Sequence, residues 1–507
     1  MDGKRSALPD RAAGVLESVD RVRREVTKTF EQATREQLGQ FLTPARVADF
    51  MASLFEPPKK SGIVLLDPGA GVGSLTAAFL DRWVNGTFGR VSIEAVAYEL
   101  HRSLTPHLRN TLERYRSARA GRLHFTIKEE DFVEAAVNEI EFNGRRDITH
   151  AILNPPYKKI GSHSPHRLLL RHVGIETVNA YTAFLALVIE LMASGGQVVA
   201  ITPRSFCNGP YYRSFREFLL ARCSIVQIHL FGSRSSAFRD DAVLQENIVV
   251  KLVRGRKQGS VKVSTSSDAT FGDLSAHYYQ FAKIVDPADP ERFIHIPTTP
   301  TQTSSQDIPL AKLALSEVGM EVSTGPVVDF RVKEHLRSSA EKDDVPLIYA
   351  HHFVNGRFTW PQPHKKKPNA IAVHRDSIKW LLPQGTYTLV KRFSSKEERR
   401  RVVAYVLRGD AIKTSLVGIE NHLNVFHTKK HGLNEDVAYG LAMYLNSTAI
   451  DDYFRRFSGH TQVNATDLRQ LRYPTEAELV RLGRWARKRP GLSQQQIDAY
   501  LDKHARG

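Results

Sequence analysis

Ile63-Val-Leu-Leu-Asp67-Pro-Gly69-Ala-Gly71-Val-Gly73-Ser-Leu-Thr76 joins a short apolar run to an acid, three alternate glycines and the start of a helical pattern. Four aliphatic residues in a row suit a strand buried on both faces, as in a parallel sheet. Glycines are needed where a ligand comes against the backbone of the turn that follows. The spacing is Gly-x-Gly-x-Gly, not the Gly-x-Gly-x-x-Gly of dinucleotide sites. Asp67 at the strand end would repel a pyrophosphate. It suits instead the ammonium group of an amino-acid moiety, directly or through water.

The same arrangement repeats outward from this stretch. Ser92-Ile-Glu-Ala-Val-Ala-Tyr98-Glu99 reads as a second strand ending in an acid that could take both hydroxyls of a ribose. His124-Phe-Thr-Ile127 leads to Asp131-Phe132, where Asp131 could accept from an adenine amine and Phe132 could pack on the ring. Taken singly, each acid is equally an exposed strand-end or turn carboxylate. Helical spacing follows over Ala180–Met192, then a glycine turn at Gly195 into a strand ending at Pro203, and further strands at 224–231 and 243–253. Strands alternating with helices, with a ligand-like residue at successive strand ends, define an α/β fold with a doubly wound sheet. Upstream, residues 11–36 have helical spacing, with Val15, Val19, Val22, Val26 and Phe30 on one face. Thr43 reads as an N-cap with Pro44 at the first helical position, an N-terminus suited to a carboxylate.

The chemistry centres on Asn154-Pro155-Pro156-Tyr157, after the β-prone run Ile148-Thr-His-Ala-Ile-Leu153. Two prolines force the chain out of the sheet, leaving an amide, two rigid carbonyls and a ring at the carboxyl end of a strand. These groups suit methylation of an exocyclic amine on a planar base, whose nitrogen lone pair is delocalised into the ring. The Asn154 side-chain oxygen and the Pro155 carbonyl could accept its two hydrogens, and Tyr157 could stack on the base. A buried strand ending in a Pro-Pro turn is the plainer alternative. Phe238, in the polar loop 232–241, could be a second stacking wall, although a loop aromatic often only packs.

A chain of 507 residues implies two or three domains. Its formal net charge of +17 points to a polyanionic partner, most simply nucleic acid. Two cysteines, Cys207 and Cys223, are too few for a disulfide framework or a cysteine zinc site, and no metal is expected. No apolar run reaches the roughly eighteen residues of a membrane span, and Met1-Asp2-Gly3-Lys4-Arg5 begins no signal-peptide core. The cytoplasm is the expected compartment. A proline- and hydroxyl-rich linker at 297–308 separates a first domain, 1–300, from a second, 308–507, that lacks regular strand–helix alternation. Basic and aromatic residues mix there, in His351-His352-Phe353, Lys391-Arg392-Phe393 and Arg399-Arg400-Arg401. Such clusters suit phosphate contacts and base reading, and Lys391, Arg392, Arg399 and Arg400 are the candidate DNA contacts. Each alone is equally a solvated basic face.

With these residues in order, the sequence resembles the amino-group DNA methyltransferases of restriction–modification systems. Within them it is similar to the Eco57I-like (gamma-class) adenine-N6 group, in which cofactor motifs precede the target-recognition domain. The resemblance runs through Gln40-Phe-Leu-Thr-Pro44, Asp67 to Gly73, Glu99, Asp131-Phe132, Asn154 to Tyr157, the strand ending at Pro203 and the loop with Phe238. It continues in 322–331, 391–400, 458–469 and 471–474, which look like that family's recognition half. It implies S-adenosylmethionine as methyl donor, held by Thr43, Pro44, Asp67, Gly69, Gly71, Gly73, Glu99, Asp131 and Phe132. It also implies a flipped adenine of double-stranded DNA held by Asn154, Pro155, Pro156 and Tyr157, with Phe238. A monomer paired with a restriction endonuclease is the family expectation. The alternatives are RNA-guanine and protein-glutamine methylases, which share Asn-Pro-Pro-Tyr but usually lack a long basic second domain. Cytosine-N4 enzymes tend to carry Ser in place of Asn154. A modification subunit needing a separate specificity chain remains a further alternative, and no nuclease motif of paired acids and lysine is found.

Overall fold

The strand Ile148–Leu153 shows how the sheet is built. Ala151 and Leu153 enter one apolar core and Ile152 the other, all without exposure, because successive side chains point to opposite faces. Both faces must therefore be covered by helices. The computed structural model describes residues 14–29, 42–58, 62–118, 121–144, 147–232, 246–297, 308–354, 356–394, 398–457 and 462–505. The chain divides into two compact units, Met1–Pro300 and Thr301–Gly507.

The strands of the first unit are β1 (Gly62–Pro68), β2 (Ser92–Tyr98), β3 (Leu123–Lys128), β4 (Ile148–Leu153), β5 (Met192–Pro203), β6 (Cys223–Phe231), β7 (Asn247–Arg254), β8 (Val261–Ser266) and β9 (Ser275–Tyr279). They form one sheet in the order β3-β2-β1-β4-β5-β7-β6-β8-β9. The first five in that order are parallel, and β7 runs antiparallel to both neighbours. The helices α1 (Val15–Thr29), α2 (Ala45–Ser53), α3 (Ser74–Val84) and α4 (Thr105–Ala118) cover one face through Val15, Val47, Leu75 and Leu108. The other face is covered by α5 (Phe132–Asn138), α6 (Pro165–His172), α7 (Ala180–Leu191) and α8 (Arg213–Arg222), through Val133, Leu170, Leu185 and Leu219. The chain changes direction of winding between β1 and β4, the place in such sheets where ligands sit.

Two local readings need correction. The helix after Thr43 begins at Ala45, with Pro44 at the capping position, so Thr43 lies one residue outside it and caps nothing. The Ala45 N–H instead donates to Asp20 of α1 at 3.2 Å, so this helix end is already satisfied by an acid of the chain. The glycine turn expected at Gly195 lies inside β5, where the pairing with β4 slips in register. Within the first helix, Val15 and Val19 are buried as the spacing requires; Phe30 lies outside the described residues.

The second unit is α+β. A four-stranded antiparallel sheet runs in the order Glu321–Thr324, Leu423–His427, Tyr387–Lys391, Ala404–Leu407. A mixed five-stranded sheet has the order Leu336–Arg337, Ala370–Ala372, Asp344–Ile348, Leu416–Ile419, Leu381–Pro383. The helices Glu435–Leu445 and Glu476–Arg487 pack by Leu441, Tyr444, Leu479 and Leu482 into a core shared with Val390 and Phe426 of the four-stranded sheet.

Candidate active site

At the end of β1, Asp67 is 1% exposed, and its Oδ2 accepts from the Thr76 hydroxyl at 2.6 Å. Its Oδ1 is buried with no partner. Burial, reinforced by the Glu99 carboxylate and only partly offset by Thr76, pushes its carboxyl up to about 7. An orphaned carboxylate oxygen of this kind costs stability unless a donor arrives.

The glycine turn beyond Asp67 is tied to the end of β2. The N–H groups of Gly69 and Ala70 both donate to the Tyr98 carbonyl, at 2.9 and 2.8 Å. The Gly71 N–H donates to Glu99 Oε2 at 2.8 Å, while Glu99 Oε1 accepts from the His101 N–H at 2.7 Å. Gly69, Gly71 and Gly73 have φ of 82°, 59° and 88°, a region that side chains disfavour. A Cβ on Gly71 would also come 2.6 Å from Leu42 Cδ2. Burial pushes the Glu99 carboxyl up, against the pull of its two backbone donors.

Asp131 caps α5. It accepts from the N–H groups of Val133 and Glu134 at 2.8 and 3.3 Å, and its Oδ2 lies 3.2 Å from His166 Nε2 on α6. Burial opposes its charge, but His166 and the two backbone donors outweigh burial and hold the carboxyl below its usual range. Phe132 is buried against Tyr98 and Phe184, with ring centroids 5.1 and 5.0 Å away.

Beyond β4, Asn154 Nδ2 donates to Thr43 Oγ1 at 3.0 Å. The Tyr157 hydroxyl donates to Asn154 Oδ1 at 2.9 Å and lies 3.3 Å from the Ile201 carbonyl of β5. Burial raises the Tyr157 phenol, which stays protonated and a donor. Pro155 is buried, and its carbonyl accepts no hydrogen bond among the described residues; Pro156 is half-buried. The segment after Tyr157 is fastened by Ala180 N–H to the Lys158 carbonyl and by Ile160 N–H to the Val178 carbonyl, both at 2.9 Å.

The strand ends thus bring Asp67, the glycines, Glu99, Asp131 and Phe132 into one row, with Thr43 and Asn154 joined beside it. Phe238 lies outside the described residues. Leu42, Thr76, His166 and Phe184 were not read from the sequence. Thr76, three residues beyond Gly73 in the first turn of α3, could have been found by spacing; the others meet the site only through the fold.

The second unit uses its candidate DNA contacts unequally. Lys391 Nζ pairs with Glu398 at 2.7 Å, and Arg392 donates to the Asn421 carbonyl and Gln462, both at 3.1 Å. Arg400 is half-buried, donating to the carbonyls of Ser447 and Val402 at 2.7 and 3.3 Å, so its guanidinium serves the unit's own packing. Arg399 is exposed.

Known proteins resemble this chain over most of its length. The Eco57I restriction-modification methylase family matches residues 97–238. The type II methyltransferase M.BsuBI of Bacillus subtilis is 47% identical over 496 residues, covering 96% of this chain and 98% of that protein. The chain belongs to the type II methyltransferases of restriction–modification systems. The methyltransferase is also 42% identical to M.PstI of Providencia stuartii, over 91% of this chain and 92% of that one. Among solved structures, a DrdV–DNA complex matches with a TM-score of 0.53 at 14% identity, covering 93% of this chain and 59% of that chain, which shows a shared fold. The methyltransferase is a site-specific DNA-modifying enzyme that uses S-adenosylmethionine. The site fits that cofactor: Asp67 Oδ1 lacks a donor that an ammonium would supply, and Gly71, at a φ of 59°, keeps the turn free of a side chain. Among the described residues no helix is long and apolar enough to cross a membrane.

Proposed function

We propose that the methyltransferase transfers a methyl group to N6 of an adenine flipped out of a short duplex site. We further propose that the first unit carries the chemistry and residues 308–507 recognise the target. The observation that carries this reading is the pair of acceptors past β4. Asn154 Oδ1 stands at the strand end where it accepts from Tyr157, and the Pro155 carbonyl beside it accepts no hydrogen bond among the described residues. Two fixed acceptors draw the amine's hydrogens out of the ring plane and localise its lone pair for attack. Thr43 and Tyr157 hold the carboxamide from both ends and fix its plane.

On the cofactor side, Asp67 would bind the ammonium, Glu99 the ribose hydroxyls, and Asp131 with the first N–H of α5 the adenine edge. Gly69, Gly71 and Gly73 leave room for its backbone-facing side. Bound S-adenosylmethionine supplies a methyl group on a sulfonium, which leaves as the neutral thioether. Positioning of the amine against it gives most of the rate gain. A stacked base cannot reach the carboxyl edge of the sheet, so it must leave the helix at a cost of roughly a few kcal/mol, offset by stacking in the pocket. No thiol nucleophile is needed, and Cys207 and Cys223 are buried. A monomer protecting DNA from an endonuclease of the same specificity completes the reading.

The test is modification-sensitive single-molecule sequencing of plasmid DNA from a host lacking other methylases, with the wild type and Asn154→Ala. N6-methyladenine at one short motif, absent with Asn154→Ala although the variant still binds S-adenosylhomocysteine, is the expected result. N4-methylcytosine would overturn the choice of base, and full activity in the variant would overturn the role of Asn154.

A further inference from the structure

We infer that His166 is a positioning residue for the methyl donor: it holds the Asp131 carboxylate toward the cofactor adenine and so ties donor binding to the helix that follows the catalytic segment. The inference rests on the reading of Asp131 as the acceptor for the adenine amine.

Asp131 divides its two oxygens. Oδ1 is committed to the N–H groups of Val133 and Glu134, which fixes the carboxylate plane against the first turn of α5. Oδ2 is left for an outside donor, and the one it has among the described residues is His166 Nε2 at 3.2 Å. An oxygen with one hydrogen bond retains a lone pair, so His166 and an adenine amine can share it. His166 stands in the first turn of α6, which Ser164 caps by accepting from the Arg167 N–H at 3.3 Å. Arg167 and Arg171 both pair with Glu176, so α6 is anchored at its far side as well. Residues 158 to 160 are fastened to 178 to 180, and the seven residues from Lys158 to Ser164 lead from Tyr157 to this helix. His166 is therefore the link through which a carboxylate on the cofactor side is held by an element of the catalytic side.

The pair is electrostatic as well as geometric. The groups facing His166 are Asp131 and Glu134, which favour its cationic form, and Lys158, which opposes it; the hydrogen bond to Asp131 is the largest influence and raises its protonation range above the usual 6.5. While protonated, the imidazolium grips Oδ2. As pH rises past its raised protonation range the ring becomes neutral, its charge-assisted bond weakens, and Oδ2 is held less firmly.

Titration of the full-length protein with S-adenosylhomocysteine, at pH 6, 7 and 8 by calorimetry, tests this. Because Asp67, near 7, titrates against the ammonium in every variant, the effect of His166 is read as each variant's Kd relative to the wild type at the same pH. His166→Gln should bind about fivefold more weakly than the wild type at pH 6 and about equally at pH 8, while His166→Arg, with a permanent cation, should match the wild type at pH 6 and bind more tightly than it at pH 8. A merely structural role for His166 would weaken binding equally at every pH. His166→Gln keeping the wild-type profile and affinity overturns the inference. Asp131→Asn separates the two readings: if it binds like the wild type, the cofactor role of Asp131 fails; if it binds tenfold or more weakly while His166→Gln does not, only the role of His166 fails.

Discussion

Asp67 carries a cost that its protein neighbours only partly offset. Its carboxyl stands near 7 against an ordinary 3.8, a gap worth about 4 kcal/mol at roughly 1.36 kcal/mol per unit. The sign follows from linkage. The folded state holds the Asp67 proton more tightly than the unfolded chain, so this group's contribution to stability is greatest below 3.8, falls as pH rises, and is fully unfavourable above 7. Asp67→Asn keeps an oxygen for Thr76 and removes the buried charge. In thermal melts without cofactor it should raise the Tm of the first unit by a few degrees at pH 8 and have little effect near pH 4, while weakening S-adenosylhomocysteine at least tenfold. A variant no more stable at pH 8 would mean that water or a donor already compensates Oδ1. Asp67, Glu99, Asp131 and Asn154 were legible in the sequence because each ends or follows a β-prone run, where an acid or amide stands out. His166 was not. It is 35 positions from Asp131, and nothing local marks a histidine in the first turn of one helix as the partner of the cap of another.

At the scale of elements, the long strands were legible and the short ones were not. The strands β1, β2, β4 and β5 have apolar runs long enough to reveal a period or a buried stretch. In residues 308–507 most strands span two to five residues, too few for alternation to register, so that half was read only as lacking regular strand–helix alternation. Its glycines were likewise opaque. Gly440 and Gly483 sit inside helices, where glycine costs about 1 kcal/mol against alanine. The fold explains them: a methyl group on Gly440 would overlap the Leu479 carbonyl, and one on Gly483 the Asp436 carbonyl, so the two helices touch backbone to backbone. Gly440→Ala should destabilise the second unit by about 1–3 kcal/mol, as overpacking does. Denaturant unfolding followed by hydrogen exchange at residues 435–487 checks this, with cofactor affinity in the first unit expected to remain unchanged. Equal or slower exchange in the variant would show that the helices can separate at no cost.

For the whole molecule, the net charge of +17 is the property that bears on DNA. Affinity should fall steeply with salt, since each phosphate neutralised releases counterions with a slope of about 0.9 in log K against log salt. Not every arginine contributes. Arg399→Glu should weaken DNA binding and flatten that slope by about 0.9 or more, leaving stability alone. Arg400→Gln should do the reverse, lowering Tm through its lost bonds to Ser447 and Val402 while the slope holds. Fluorescence anisotropy on a short duplex at several salt concentrations, beside melting curves, distinguishes them; a slope change with Arg400→Gln alone would reverse the assignment. Composition announced a polyanion partner but could not sort the clusters, because whether a cation is solvated or spent on a carbonyl is decided by packing.

One further property follows from the two cysteines. Burial pushes both thiols up to about 12, and Cys207 and Cys223 have almost no exposed surface. Neither supplies a thiolate at neutral pH, so peroxide finds no nucleophile to oxidise and electrophiles none to alkylate. For an enzyme whose marks must be renewed at every replication, this matters more than for most. Stress that acts through thiol oxidation finds no accessible thiolate in this enzyme, so newly copied DNA need not go unmarked for want of a reduced cysteine.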